Sequence, residues 1–417
     1  MPKISVILTS FNHEKYIHEA IKSILNQTFT DYELIILDDC SSDESWNLIN
    51  QYSDPRIKAF RSEKPAEVVY NLNKTILDVA KGEYIAIHHS DDAWELDKLE
   101  KQVDFLEANQ DVGAVFTWVK IIDENGEEKE NDYFNQENKT RWQWLQRLFV
   151  GDNRFNHPSV LIKKQCYQDV GVYRHGLPQT GDAEMWSRVL IKFPIHIIQE
   201  KLTKHRRFSD HSSTSGSRLD VEIRTSNEWN IIRENFLALT EFDDIVAIFP
   251  SLERYRNPAG CDNKFLLAMA CLYECEQRNS WQLGLNWLFE LLNDADRHKK
   301  ITELYAFSYA DLIKLTGEFD VVSVFQQREC VEQIEAQRQE IQAYAEQAHV
   351  FSDQIQAQIA VIAEQNAMIH ERDATIHERD ATIHEICTSR SWLFTRPLRF
   401  LERLIRNPKL LWSQLHE

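Results

Sequence analysis

Glycine and proline are scarce in this chain, 11 and 10 among 417 residues. That excludes collagen-like and low-complexity architectures and leaves long stretches free to form uninterrupted helices. Cysteine is equally thin: the seven, at 40, 166, 261, 271, 275, 330 and 387, are odd in number and scattered. They fit neither a disulfide framework nor a paired CxxC zinc site, and they suit a reducing compartment. Positive charge is in deficit, with 47 Lys and Arg against 66 Asp and Glu and a formal net charge of -19. Such a balance lacks the broad basic footprint that nucleic acid selects, so no nucleic-acid partner is expected. No window approaches the ~20 apolar residues of a membrane span. The opening MPKISVILTSFN lacks the basic and long apolar regions of a secretory signal and reads as a first strand.

What the chain does have is alternation. Short β-branched runs at 4–9, 34–37, 57–60 and 84–87 are separated by helical patterns, the first carrying Ile17, Ile21, Ile24 and Leu25. This order predicts an α/β domain, and the near-continuous apolar strands predict a mostly parallel sheet covered on both faces. Ligands of such sheets bind at the carboxyl ends of the strands. Strand signals fade after about residue 215, and a helical region is expected over 216–327. Cys271 and Cys275 in it read as buried small apolar residues.

From Glu332 onward isoleucine recurs at 334, 341, 355, 362, 369, 376 and 383, with Ala348 at the missing step, and HERDATI occurs twice in succession. The heptad predicts a coiled coil over 328–387. Its second seam is thin, holding Arg338, Ala345, Ser352, Ile359, Asn366, Asp373 and Asp380. A homo-oligomer, a partner protein and a solvated single helix are all compatible with that pattern. Residues 388–417 are basic and interleaved with Trp392, Phe394, Phe400 and Trp412. Such an amphipathic tail suits either peripheral attachment to an anionic membrane or docking onto the protein's own helices.

Two acidic pairs follow predicted strands, Asp38-Asp39 and Asp91-Asp92. Carboxylates gathered at strand ends repel one another and need a cation, hydrogen-bond donors or a proton, although solvated turn aspartates are also common. A hard divalent metal carrying a phosphate ligand would supply the compensation.

The ordered segments ISVILTSFNHEKYIHEAIKSILNQTFTDYELIILDDCSSDES, KGEYIAIHHSDDAWELDKLEKQ, HPSVLIKKQCYQDVGVY and TGDAEMWSRVL lie within approximately residues 1–215, half the chain. Together they resemble family 2 glycosyltransferases of the GT-A fold. The resemblance implies a catalytic domain at 1–215 that uses a nucleotide-sugar donor and Mg²⁺ or Mn²⁺. It places Thr9 and the stacking ring of Phe11 at the nucleotide, and Asp39 on the N3–H of a pyrimidine base, hence a UDP or dTDP donor. Asp91 falls near the ribose and at the metal, Asp92 on the metal, and Asp182 becomes the general base of an inverting transfer. By local sequence alone Asp182 would read as a helix N-cap. His89 stands where many relatives carry an aspartate, and His88 and His89 are expected to pack structurally. Arg206 and His211 lie in a basic loop that could reach the diphosphate.

The implied setting is a cytoplasmic enzyme, peripheral on the inner face of the membrane, that builds surface polysaccharide or lipopolysaccharide on a glycan or lipid-linked acceptor. Through the coil it would meet a second copy or another envelope-biosynthesis enzyme. The competing reading is a noncatalytic glycosyltransferase-like scaffold, with His89 as the motif departure that supports it.

Overall fold

The computed structural model describes residues 1–209, 216 and 218–388. His211 and the basic tail, apart from residue 388, lie outside them. Two compact units divide the chain, Met1–Val322 and Ser323–Glu417.

The first unit is built on nine strands: β1 (Ile4–Ser10), β2 (Tyr32–Asp38), β3 (Ile57–Arg61), β4 (Tyr84–His89), β5 (Ala93–Trp94), β6 (Ala114–Ile122), β7 (Glu128–Lys129), β8 (Leu161–Lys163) and β9 (Ile195–Arg206). They form one mixed sheet in the order β3-β2-β1-β4-β8-β6-β9-β5, with β7 on β6. The first four are parallel, whereas β8 runs antiparallel to β4 and β6. This is the α/β GT-A arrangement that the resemblance implies, followed by a largely helical region. The sheet grows outward in both directions from β1 and β4, which makes their shared carboxyl end a topological switch point.

Alternation along β1 explains why the sheet is covered on both faces. Val6 and Leu8 pack with Ile21, Ile24 and Leu99 on one side. Ile7 faces the other, with Ile85, Trp186 and residues as distant as Phe236, Phe265 and Leu315. The helices of 219–318 therefore share a core with the sheet rather than closing on one of their own. Phe149 is wedged between Phe236 and Phe249 at ring separations of 4.9 and 4.7 Å. Arg233, fully buried, donates to the Phe149 carbonyl at 3.0 Å. Cys271 and Cys275 are buried apolar residues of this core, in keeping with expectation.

Gly82 is required just before β4. A Cβ there would lie 2.3 Å from the Ser5 nitrogen, so the chain passes over β1 only without a side chain.

Among its described residues the second unit holds one helix, Val324–Thr388, of 65 residues. Its isoleucine stripe lies open to solvent, Ile341, Ile355, Ile362 and Ile369 each being more than half exposed. Among the described residues no helix is long and apolar enough to cross a membrane.

Candidate active site

The turns after β1 and β2 are clipped to each other. Asn12 and Cys40 adopt left-handed backbone, with φ of 52° and 61°. The Asn12 side-chain oxygen accepts from the Ser42 N–H at 2.8 Å, and the Ser41 hydroxyl accepts from the Asn12 N–H at 3.0 Å. Asp38 is consumed in this clip, accepting from the Ser41 N–H at 3.0 Å and facing Arg61 at 3.3 Å. Asp39 points the other way and accepts the N–H groups of Ala66 and Glu67 at 2.9 and 3.1 Å. A carboxylate has lone pairs beyond two such bonds, so Asp39 can still take a donor from a ligand. Phe11 leaves about half its surface open, 49 %. Thr9, at the end of β1, sets its hydroxyl toward the His88 carbonyl at 3.5 Å.

Across the switch point, His89, Asp91 and Asp92 bring one ligand atom each to within 4.8 Å of one another. Asp92 is buried and internally bound, accepting the Arg206 N–H at 2.8 Å and facing His205 Nδ1 at 3.2 Å. Burial pushes its carboxyl up, but the charge and hydrogen bond of His205, with His89 and the Arg206 N–H, leave it below the ordinary value. Asp91 is pushed above the ordinary value by burial and then by the Asp92 charge. Two crowded carboxylates with an imidazole are a donor set that a divalent cation fits. The nitrogen makes Mn²⁺ better suited than an all-oxygen site would.

His89 stands in this group and also packs edge-on against His157, and its neighbour His88 packs as expected, stacked on Trp94 at 4.3 Å and 8°. Burial lowers His88 to about 3, so it is neutral. Arg206 is likewise not a free hand for a diphosphate. Its guanidinium is buried and spent on Glu19 at 2.6 Å, the Asp91 carbonyl at 2.9 Å and the Asp123 carbonyl at 2.8 Å. It shapes the acidic turn from behind.

Asp182 stands as the second residue of the Gly181–Lys192 helix; Thr180, not Asp182, is the N-cap. One Asp182 oxygen accepts from the Ala183 N–H at 2.7 Å and the other from the Asn153 side chain at 3.0 Å. Burial raises this carboxyl to about 6 despite both bonds. A group ionising there can accept a proton near neutral pH. His157 connects the Gly181–Lys192 helix to the acidic turn. Its ring lies 5.2 Å from His89 and 5.8 Å from Trp186 of that helix, and its Nε2 is 2.9 Å from the Tyr173 hydroxyl. The sequence assigns no role to His157 or His205: His205 meets Asp92 across 113 positions, and the partners of His157 lie on other elements, so neither spacing nor composition marks either residue.

The model of the Glycosyl transferase family 2 matches residues 5–163. The uncharacterized glycosyltransferase MJ1057 of Methanocaldococcus jannaschii is 32% identical over 210 residues, 49% of this chain and 71% of that protein. The putative teichuronic acid biosynthesis glycosyltransferase TuaG of Bacillus subtilis is 27% identical over 58% of this chain and 89% of its own length. The Escherichia coli UDP-Glc:alpha-D-GlcNAc-diphosphoundecaprenol beta-1,3-glucosyltransferase WfaP is 34% identical over 26% of this chain and 43% of its own. Likeness on this scale, falling on the strands that build the crevice, settles that the chain belongs to glycosyltransferase family 2.

Proposed function

We propose that this glycosyltransferase moves a sugar from a UDP or dTDP donor to an acceptor hydroxyl with inversion, in the assembly of a surface glycan on a lipid-linked or glycan acceptor. The observation that carries the reading is the meeting of His89, Asp91 and Asp92 within 4.8 Å at the carboxyl end of β4. Nucleoside diphosphates bind at such switch points. The UDP-Glc donor of WfaP supports the pyrimidine reading of Asp39, and TuaG's teichuronic acid supports the envelope setting.

In this mechanism Phe11 stacks on the base, Asp39 accepts its N3–H, and Thr9 lines the nucleotide. Asp91, Asp92 and His89 would hold Mg²⁺ or Mn²⁺, which when bound supplies positive charge for the departing diphosphate. Asp182 removes the acceptor hydroxyl's proton. The oxygen so freed forms its bond to the anomeric carbon as the bond to the diphosphate oxygen breaks, its electron pair leaving on the nucleoside diphosphate. One displacement inverts the centre.

The test is calorimetric titration of the full chain with UDP, dTDP and GDP, each with and without Mn²⁺, beside Asp91→Ala. Pyrimidine diphosphate binding that needs Mn²⁺ and weakens at least tenfold in the variant is expected. GDP binding equal to UDP would overturn the base assignment, and absence of nucleotide binding in folded protein would favour the scaffold.

The coil, in this proposal, pairs with a second copy of the chain, and the basic tail contacts anionic lipid. Sedimentation with anionic liposomes before and after removal of 388–417 decides the latter; unchanged binding would exclude the tail as anchor.

A further inference from the structure

The turn before Asp182 is tied down from an unexpected place. Glu228 sits in the Leu219–Asn235 helix, beyond the segment 5–163 that the family model covers. Its Oε2 accepts three hydrogen bonds: from the Gln179 N–H at 3.0 Å, the Thr180 N–H at 2.8 Å and the Thr180 hydroxyl at 3.0 Å. Glu228 is buried, and its other oxygen has no hydrogen-bond partner among the described residues. Because the Thr180 hydroxyl is turned to Glu228, the N-cap makes no side-chain bond to its own helix. An external carboxylate thus binds the amide of the N-cap Thr180 and that of Gln179 before it, at the end of the helix where the dipole favours negative charge.

We propose that Glu228 is a positioning residue for the reaction: it anchors the 179–180 turn and so fixes the direction in which Asp182 faces the acceptor. This rests on the reading of Asp182 as the base. Three donors converging on one oxygen leave the turn little freedom, and Asp182 follows Thr180 by two residues. The same charge bears on the base. Asp182 is held up first by burial, and Glu228 adds to that rise, while Asn153 and the Ala183 N–H oppose it. Tyr133 and Tyr173 are the other titratable groups that feel the Asp182 charge. The helical region is therefore a working part of the catalytic centre.

The test uses the full chain and needs no sugar substrate. Hydrogen exchange is followed by mass spectrometry in Glu228→Ala and Glu228→Gln. Alanine removes the acceptor and is expected to speed exchange of the Gln179 and Thr180 amides about tenfold or more, with strand Ile4–Ser10 unaffected. Glutamine keeps an acceptor oxygen and restores protection. Alongside, the melting temperature of Asp182→Asn relative to its parent is followed from pH 4 to 8. In the wild-type background its advantage grows from about pH 4 and levels off above about pH 6; with Glu228→Gln it levels off at lower pH and is smaller, since loss of a nearby negative charge favours the ionised carboxylate. Should Glu228→Ala fail to fold, Thr180→Val, which deletes one of the three donors, is expected to speed exchange of the same two amides. Unchanged exchange at 179 and 180, or an unmoved pH midpoint, would overturn the proposal. Retained turnover in Asp182→Asn would instead strike the base reading alone.

Discussion

At the scale of the residue, Asp182 is a compromise between stability and reactivity. Its carboxyl ionises at about 6 in the fold against an ordinary 3.8. The folded state therefore holds a proton that the unfolded chain has released, and its stability declines as pH rises from 4 through 6. Above that window the ionised group costs about 3 kcal/mol. Asp182→Asn should melt higher than wild type at pH 8, with the gain vanishing below pH 4, while turnover falls by about two to four orders of magnitude. In the wild type kcat/KM should climb with pH to a plateau above about 6. A variant that melts no higher at pH 8, or a flat rate profile between 5 and 7, would contradict this account. The carboxylates of this site were legible in the sequence because a family pattern and strand ends flank them. Its imidazoles at 157 and 205 were not. His205 reaches Asp92 across 113 positions, and Glu228 reaches Thr180 across 48. Such pairs are set by sheet register and helix packing, which no local period records.

At the scale of the element, strands and helices followed the sequence where periodicity was strong. The parallel strands at 4–10, 32–38 and 84–89 and the glycine-free helix from 324 onward all stand where alternation and heptads placed them. The two-residue strands β5 and β7 escaped notice, since their existence depends on neighbours rather than on their own residues. Gly82 is the sharpest element-level constraint. Gly82→Ala places a methyl 2.3 Å from the Ser5 nitrogen, in backbone rather than in a flexible side chain. We expect a loss of about 3 kcal/mol or more, read by urea unfolding, with failure to accumulate in soluble form as the extreme. A variant as stable as wild type would mean that β1 and the approach to β4 are less closely joined than described. Gly284, where a Cβ would meet the Ala268 carbonyl at 2.8 Å, marks the equivalent crowding between two helices.

At the scale of the whole molecule, the two units differ in what holds them. The first has a core running from Ile7 to Leu315, and the second is a helix whose apolar stripe is exposed. Removing residues 323–417 should leave the melting temperature and nucleotide affinity of the first unit unchanged, while sedimentation equilibrium shows an oligomer reduced to a monomer. An unchanged multiple of the chain mass after truncation would rule out pairing through the coil. The expected boundary at 215 has a different meaning, because Phe149 packs on Phe236 and Phe249, and Glu228 holds the turn before Asp182. For anyone recombining such enzymes, the consequence is a rule about seams. A chimera joined at 215 would pair half of one interior with half of another and, on the role proposed for Glu228, release the turn before Asp182, whereas a join near 322 keeps the interior of the first unit whole.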